Sequence, residues 1–364
     1  MEHEGRVRAW LTLASVKGLG SQALHSLLST FGSPEATVSA SQGVLRKVVS
    51  PEIATAIKLG DATFVETALG WVVADATNHL LFWDDPEYPK ALLDVGEVPV
   101  VLYFRGRREL LQRPSLAIVG SRNATPSGLQ TAEEFAQALA AAGLTIVSGL
   151  ALGIDAAAHR GALRAGSTGG STLAVVGTGI DRIYPARNEA LARRIAEEGG
   201  VLSEFPLGTP ALKMNFPQRN RLISGLARGV LVVEAALGSG SLITARSAGE
   251  QGREVFAIPG SIHSPLSKGC HKLIREGAKL VETAGDVLGE LRVATSVEAT
   301  DSKSRAEPGE RGTLLRALGF DPLTPDELVG RLSWPVERVM THLLELEMSG
   351  RIARINTGRF QRIG

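Results

Sequence analysis

One cysteine, Cys270, stands among 364 residues, which excludes an intrachain disulfide and any multi-thiolate metal site. That thiol usage fits a reducing cytoplasm, and Cys270 itself reads as a small buried apolar residue. Aromatic residues are only 5% of the chain while hydrophobic residues are 44%. The core is therefore built from Ala, Val, Leu and Ile, as in sheets covered by helices rather than aromatic-rich sandwiches. No run reaches the roughly 18 continuous apolar residues of a membrane span, and the opening MEHEGRVRAW is charged rather than signal-like. A soluble, cytoplasmic chain with no membrane contact is expected. Charge of one sign is missing too: 39 Lys and Arg stand against 38 Asp and Glu, a net +1. Any nucleic-acid binding must then come from a local basic patch.

Several site motifs are lacking as well. No run fits G-x-x-x-x-G-K-[ST], so a P-loop ATPase is unsupported. Gly177-Thr178-Gly179 is a near-miss for a dinucleotide turn, with Arg182 where the third glycine belongs. No H-E-x-x-H or Cys–His cluster suggests a metal, and no cofactor is expected.

At roughly 100 to 200 residues per domain, the length suggests two or three domains. Residues 1–75 read as short helices with turn punctuation. Val16-Lys17-Gly18-Leu19-Gly20-Ser21 precedes the apolar face Ala23, Leu24, Leu27, Leu28. A Gly-x-Gly turn feeding a helix N-terminus is how a helix-hairpin-helix module presents N–H groups to phosphate, so Lys17, Gly18 and Gly20 are candidate secondary DNA contacts. A plain turn in a sterile-alpha-motif-like bundle is the open alternative. A proline-punctuated lead-in follows over 76–114, with a strand at Val100 to Phe104 and with Trp83 and Tyr88 as packing residues.

From Leu116 to about Leu291 short Val/Ile-rich runs alternate with helical patterns: LAIVG, LTIVSG, TLAVVG, VLSEF, GVLVVEA and EVFAIPG. This is the grammar of a Rossmann-like, doubly wound, mainly parallel α/β sheet with right-handed crossovers, and residues 76–291 form one extended unit. Residues 292–311, polar throughout, read as a flexible linker. Over 312–364, three helical patterns and two strand-like runs around Asn356-Thr357-Gly358 make a winged helix. Its presumed recognition helix mixes Glu337, Glu345 and Glu347 with Arg338 and His342, which suits protein contact at least as well as DNA contact.

Ligands of an open parallel sheet sit beyond the strands' carboxyl ends. The turns expected there are Gly120-Ser121-Arg122, Ser148-Gly149-Leu150, Gly177-Thr178-Gly179 and Gly238-Ser239-Gly240-Ser241. Glycine lets N–H groups close on an anion, and Ser121, Ser239, Ser241 and Thr244 add hydroxyls. Into this edge runs Lys213 to Arg221, KMNFPQRNR, placed just before an apolar segment from Leu222 to Glu234. Lys213, Arg219 and Arg221 can neutralise phosphates, Asn215 and Asn220 add amides, and Phe216 offers a face for an unpaired base. A single-strand binder is one reading; Phe216 as core and the arginines as a solvated loop is the other. Asp155 and His159, i and i+4 in GIDAAAH, read either as an acid/base pair or as a mutually satisfied structural pair. Glu234 reads either as a catalytic carboxylate or as the holder of Arg219 or Arg221.

The run from GSR at 120 through SGLALGIDAAAH, VVGTGIDRIYP, FPQRNRLISGL, GSGSLITARSAGEQGREVFAIPG and KGCHKLIREGA resembles the DNA-processing protein A (DprA, also called Smf) family over about 115–285. The lead-in and flanking modules match a three-domain member. The resemblance implies a cytoplasmic, non-enzymatic protein that binds single-stranded DNA in natural transformation, protects incoming strands, helps load the RecA recombinase and dimerises through the Rossmann-like domain. It implies DNA contacts at Arg122, Lys213 and Phe216, with Arg219, Asn220 and Arg221 in the same pocket. The alternative is a nucleotide hydrolase resembling the LOG-type phosphoribohydrolases, although ALGSGSLITA lacks the carboxylate of their P-G-G-x-G-T-x-x-E motif.

Overall fold

Six helices open the chain: α1 (Glu2–Ala14), α2 (Ser21–Phe31), α3 (Pro34–Ser39), α4 (Gln42–Leu45), α5 (Pro51–Leu59) and α6 (Ala62–Ala74). The computed structural model describes residues 2–166, 168–293, 309–319, 321–355 and 358–363. Ser33, Ser50 and Asp61 accept backbone N–H bonds at the starts of α3, α5 and α6, satisfying donors that a helix start leaves unpaired. The apolar faces close around Trp10, Leu11, Leu24, Leu27 and Ile57, and the same cluster takes in Phe82, Val101 and Tyr103 of the lead-in. Trp10 stacks on Phe82 with ring centroids 5.6 Å apart. The helical module is thus docked on strands rather than hung from a linker.

The sequence gives the lead-in one strand; the structure gives two, β1 (Asn78–Phe82) and β2 (Val101–Gly106), paired antiparallel. NHLLF is too short to show a period of its own. Its end is set by Asp85, whose carboxylate accepts from the Phe82 N–H at 2.7 Å. Trp83 Nε1 and Tyr88 Oη both donate to the Pro99 carbonyl, at 2.7 and 2.8 Å, so both aromatics are packing residues as expected.

The parallel part follows as β3 (Ser115–Val119), α7 (Pro126–Ala141), β4 (Thr145–Ser148), α8 (Ile154–Arg164), β5 (Thr172–Val175), α9 (Glu189–Glu198), β6 (Gly200–Ser203), α10 (Asn215–Leu226), β7 (Gly229–Val232), α11 (Ser241–Glu250), β8 (Glu254–Ala257), α12 (Lys268–Arg275), β9 (Lys279–Leu280) and α13 (Ala284–Glu290). Among the described residues they make one nine-stranded sheet, ordered β1-β2-β6-β5-β4-β3-β7-β8-β9. Neighbours are parallel except where β2 meets β1 and β6. Alternate strand residues serve opposite faces: Leu116 and Ile118 pack with α7 and α8, Ala117 and Val119 with α10 and α11. The chain winds outward from β3 to β6, returns through α10 on the other face, and resumes at β7 beside β3. β3 therefore lies at the topological switch point, where such sheets open a crevice.

The apolar stretch expected from Leu222 to Glu234 is in fact the end of α10 followed by β7. Leu222, Ile223 and Leu226 are buried at helical spacing, and Pro217 falls in the first turn, where its missing N–H leaves no bond unmade. Cys270 is fully buried, and burial pushes its thiol up to about 12, as befits a structural residue.

At the C-terminus α14 (Glu310–Leu318), α15 (Pro325–Leu332), α16 (Val336–Met348) and the antiparallel pair β10 (Ile352–Arg354) and β11 (Phe360–Arg362) form the winged helix, around Leu314, Leu318, Leu328, Leu343 and Phe360. Thr324 and Glu327 form a capping box at the start of α15. Most of the linker expected over 292–311, and Asn356 and Thr357 of the hairpin turn, lie outside the described residues. Among the described residues no helix is long and apolar enough to cross a membrane.

Trp10→Ala, which empties the junction between helical module and β1, should cost about 3–5 kcal/mol in denaturant unfolding; a loss under about 1 kcal/mol contradicts the docked junction.

Candidate nucleic-acid interface

At the switch point an open cleft of about 610 Å³ lies between the turn after β3, the turn after β7 and the first turns of α10. Gly120, Ser121 and Arg122 line one side, Gly238, Ser239, Gly240, Ser241 and Thr244 another, and Phe216, Arg219 and Asn220 the third. Eleven of the expected site residues thus converge from three separate stretches. The backbone N–H groups of Ser121, Arg122, Gly238 and Gly240 have no acceptor among the described residues. Such turns, with α11 starting at Ser241, are a ready anion nest. The hydroxyls are less free. Ser121 Oγ accepts from the Asn123 N–H at 3.1 Å, Ser239 and Ser241 bond each other at 2.7 Å, and Thr244 is buried.

Arg122 is exposed, and its guanidinium makes no ion pair among the described residues. Instead it stands 5.8 Å from the centre of the Phe216 ring, a cation–π arrangement. Phe216 is half-buried: one side rests on Gly177, where a Cβ would come within 3.0 Å of Phe216 Cδ1. The Gly-Thr-Gly near-miss is thereby explained, since Gly177 makes room for an aromatic ring. Asn215 locks the same contact by donating Nδ2–H to the Gly177 carbonyl at 3.1 Å and is itself buried, so it supports the ring rather than facing the cleft. Lys213 is exposed just before α10 and has no partner among the described residues. The carboxamide of Asn220 also has no partner among the described residues.

Two of the expected phosphate ligands have other work. Arg219 is only 4% exposed; its Nη1 donates to the Gly149 carbonyl at 2.7 Å and to the Val175 carbonyl. Burial pushes it down to about 10, opposed by Asp155 and assisted by Arg122, so it stays cationic at neutral pH beneath the cleft floor. Arg221 points to another flank of α10 and pairs with Glu204. Residues two apart on a helix face away from each other, so one stretch of KMNFPQRNR cannot aim both arginines at one phosphate. Gly149 is likewise a wedge rather than a ligand. A Cβ there would lie 2.7 Å from both Arg219 Nη1 and Asp155 Oδ2.

The acid/base readings resolve structurally. Asp155 Oδ2 accepts from the N–H groups of Gly149 and Ala151 at 3.2 and 3.4 Å; burial raises its pKa against the pull of Arg219. His159 does not touch it. Its Nδ1 lies 2.7 Å from Thr172 Oγ1, which donates its own proton to the Ile146 carbonyl, so Nδ1 carries the ring proton. Burial takes the imidazole down to about 3, leaving it neutral. Glu234 holds neither arginine: its carboxylate accepts from Thr125 N–H and Oγ1 at 2.9 and 2.7 Å, fixing the start of α7. Among the described residues no group of three or more His, Cys, Asp and Glu could hold a metal.

Lys17, Gly18 and Gly20 are exposed in the turn between α1 and α2, where Gly18 has φ of +84° and Gly20 precedes the first residue of α2. They belong to the helical module and do not line the cleft. On α16, Arg338 pairs with Glu310 and covers Trp334 at 4.8 Å, and His342 bridges Glu310 and Glu345. One exposed stripe of that helix is apolar, Val336, Met340, Leu344 and Met348, with the exposed Glu337, Arg338 and Glu345 beside it.

Two outcomes follow from the buried shell. Gly149→Ala should part Arg219 from Asp155 and lower the denaturant midpoint by about 1–3 kcal/mol of stability; an unchanged midpoint contradicts the wedge. Burial raises Glu204 to about 7 despite Arg221, with Glu97 adding to the rise. A carboxyl raised on folding stabilises the fold fully below its ordinary pKa, and that stability is lost as pH climbs through about 7. Wild-type Tm should therefore fall more than that of Glu204→Gln between about pH 5 and 8; parallel profiles contradict it.

Comparison with known proteins agrees with this architecture. The family model of DNA recombination-mediator protein A matches residues 79–292, and that of the DprA winged helix domain matches residues 298–356. Protein Smf of Escherichia coli is 44% identical over 305 residues, covering 81% of this chain and 80% of that protein. Protein Smf of Synechocystis is 34% identical over 398 aligned positions, covering 97% and 98%. The crystallised DNA processing protein A of Streptococcus pneumoniae has a TM-score of 0.67 at 38% identity, over 78% of this chain and 97% of that one. DNA processing protein A of Helicobacter pylori, studied for its single-stranded DNA binding mode, has a TM-score of 0.53 at 31% identity, over 59% and 96%. With the sheet, its lead-in strands and the winged helix all matched, this chain belongs to the DNA recombination-mediator protein A family, the family of DprA and Smf.

Proposed function

We propose that the cleft at the β3–β7 switch point grips single-stranded DNA, with phosphates on the free N–H groups of the two turns and on Arg122 and Lys213, and a base on Phe216. The observation that carries this reading is the pair formed by Arg122 and Phe216: an exposed guanidinium without an ion pair among the described residues, standing over a half-exposed ring at a cleft whose amides are unpaired among those residues. An aromatic face beside cations and amides suits an unpaired strand, because every base has a π-face and duplex DNA hides it. Arg219 contributes its charge to the floor and Asn220 its amide to the wall, while Arg221, Asn215 and Gly149 hold the walls in place.

The role is that of a binding protein rather than an enzyme. Asp155 and Glu234 at this edge are engaged by backbone N–H groups and Glu204 by Arg221, which supports binding over the hydrolase alternative. In the cell the protein would act in the cytoplasm during natural transformation, protecting incoming single strands and helping to load the RecA recombinase, as a homodimer through the Rossmann-like domain. Lys17, Gly18 and Gly20 would supply a secondary DNA contact.

Arg122→Ala and Lys213→Ala should each weaken oligo-dT binding and lower the slope of log K against log salt by about 0.7 per lost phosphate contact. Phe216→Ala should cost about 1–3 kcal/mol with the slope unchanged. Wild-type affinity in all three folded variants would remove the proposal.

A further inference from the structure

We infer that Tyr184 is a second base-stacking platform, set beside Phe216, which carries the strand from the β3 turn onto the loop between β5 and α9; this rests on the single-strand reading above. Of the three tyrosines, Tyr88 and Tyr103 are each 1% exposed, whereas Tyr184 is 50% exposed. Its hydroxyl has no hydrogen-bond partner among the described residues, and its ring meets Phe216 with centroids 5.6 Å apart at 41°. Neither burial nor a hydrogen bond through its hydroxyl accounts for a large ring in that position.

The contact also fixes how a strand could use the pair. At 5.6 Å the rings touch each other, within the usual aromatic range, so no base enters between them and each ring offers a separate face. Arg122 lies over the same Phe216 ring, 5.8 Å from its centre, so guanidinium, phenyl and phenol meet around one aromatic ring. In the sheet the order is β5-β4-β3-β7. Three strand spacings of about 4.8 Å make roughly 14 Å from the β7 turn to the β5 loop. Successive nucleotides of a stacked strand rise about 3.4 Å along its axis, so a strand reaching Tyr184 from the β7 turn presents roughly four nucleotides if stacked and fewer if extended. Exposed Ile183 and Met214 flank the two rings in sequence and add apolar surface. Arg182, Arg187 and Lys213, exposed and without an ion pair among the described residues, supply charge beside it.

The test is oligo-dT binding by full-length wild type, Tyr184→Ala, Tyr184→Leu, Tyr184→Phe, Phe216→Ala and Arg122→Ala across a salt series. Tyr184→Ala and Tyr184→Leu should raise Kd roughly 5- to 100-fold with the salt slope unchanged, and Tyr184→Phe should stay within about twofold. Tyr184→Leu keeps the apolar bulk, so it tests the ring even where Tyr184→Ala fails to fold. Wild-type Kd in Tyr184→Leu alongside a weakened Phe216→Ala overturns the second platform and leaves the single-strand cleft standing. A slope in Tyr184→Leu lowered as in Arg122→Ala also overturns it. Wild-type binding in every variant overturns both.

Discussion

The carboxyl edge of the sheet is held by one buried cation. Arg219 bridges the carbonyls at the ends of β4 and β5 and faces Asp155 across Gly149. A buried charge stripped of water carries a penalty of several kcal/mol unless paired and hydrogen-bonded, and removing one partner of such a pair costs about 3–5 kcal/mol. Here two carbonyls accept from Nη1 and the nearby Asp155 carboxylate favours the charge, while Nε has no partner among the described residues. Because Arg219 enters from the first turns of α10, anchoring it also fixes the helix register. Phe216 and Asn220, three residues before and one after, are thereby placed in the cleft wall.

From that anchor follows a division of labour among the cations. A near-neutral chain provides no general attraction to nucleic acid, so binding depends on which positive groups are left unpaired. Arg219 is buried, Arg221 is paired with Glu204 and Arg338 with Glu310. Arg122 and Lys213 are exposed on the same edge as the anion nest. On α16 the exposed surface mixes apolar residues, Val336, Met340, Leu344 and Met348, with Glu337, Arg338 and Glu345.

Much of this was legible in the sequence for physical reasons. Buried parallel strands read as short Val/Ile runs, and turns that must bring N–H groups together are written in glycine and serine; hence the doubly wound sheet, the winged helix and the β3 and β7 turns. Four features were not legible. β1 is too short for a period and is defined by its partner. The roles of Arg219 and Arg221 depend on helix phase within KMNFPQRNR, which residue types alone do not reveal. His159 bonds Thr172 and Asp155 bonds backbone, so an i, i+4 spacing that allows a pair does not make one. Tyr184 carried no local signal at all, because its partner Phe216 comes from a different crossover.

The account stands or falls on an unpaired strand in the cleft. Its most direct measurement is a salt titration of binding to an oligo-dT and to a duplex of equal length, at matched protein concentration. The account predicts a large preference for the single strand that persists as salt rises, since stacking on an aromatic face is not screened. Equal affinity for both, falling together with salt, would contradict it.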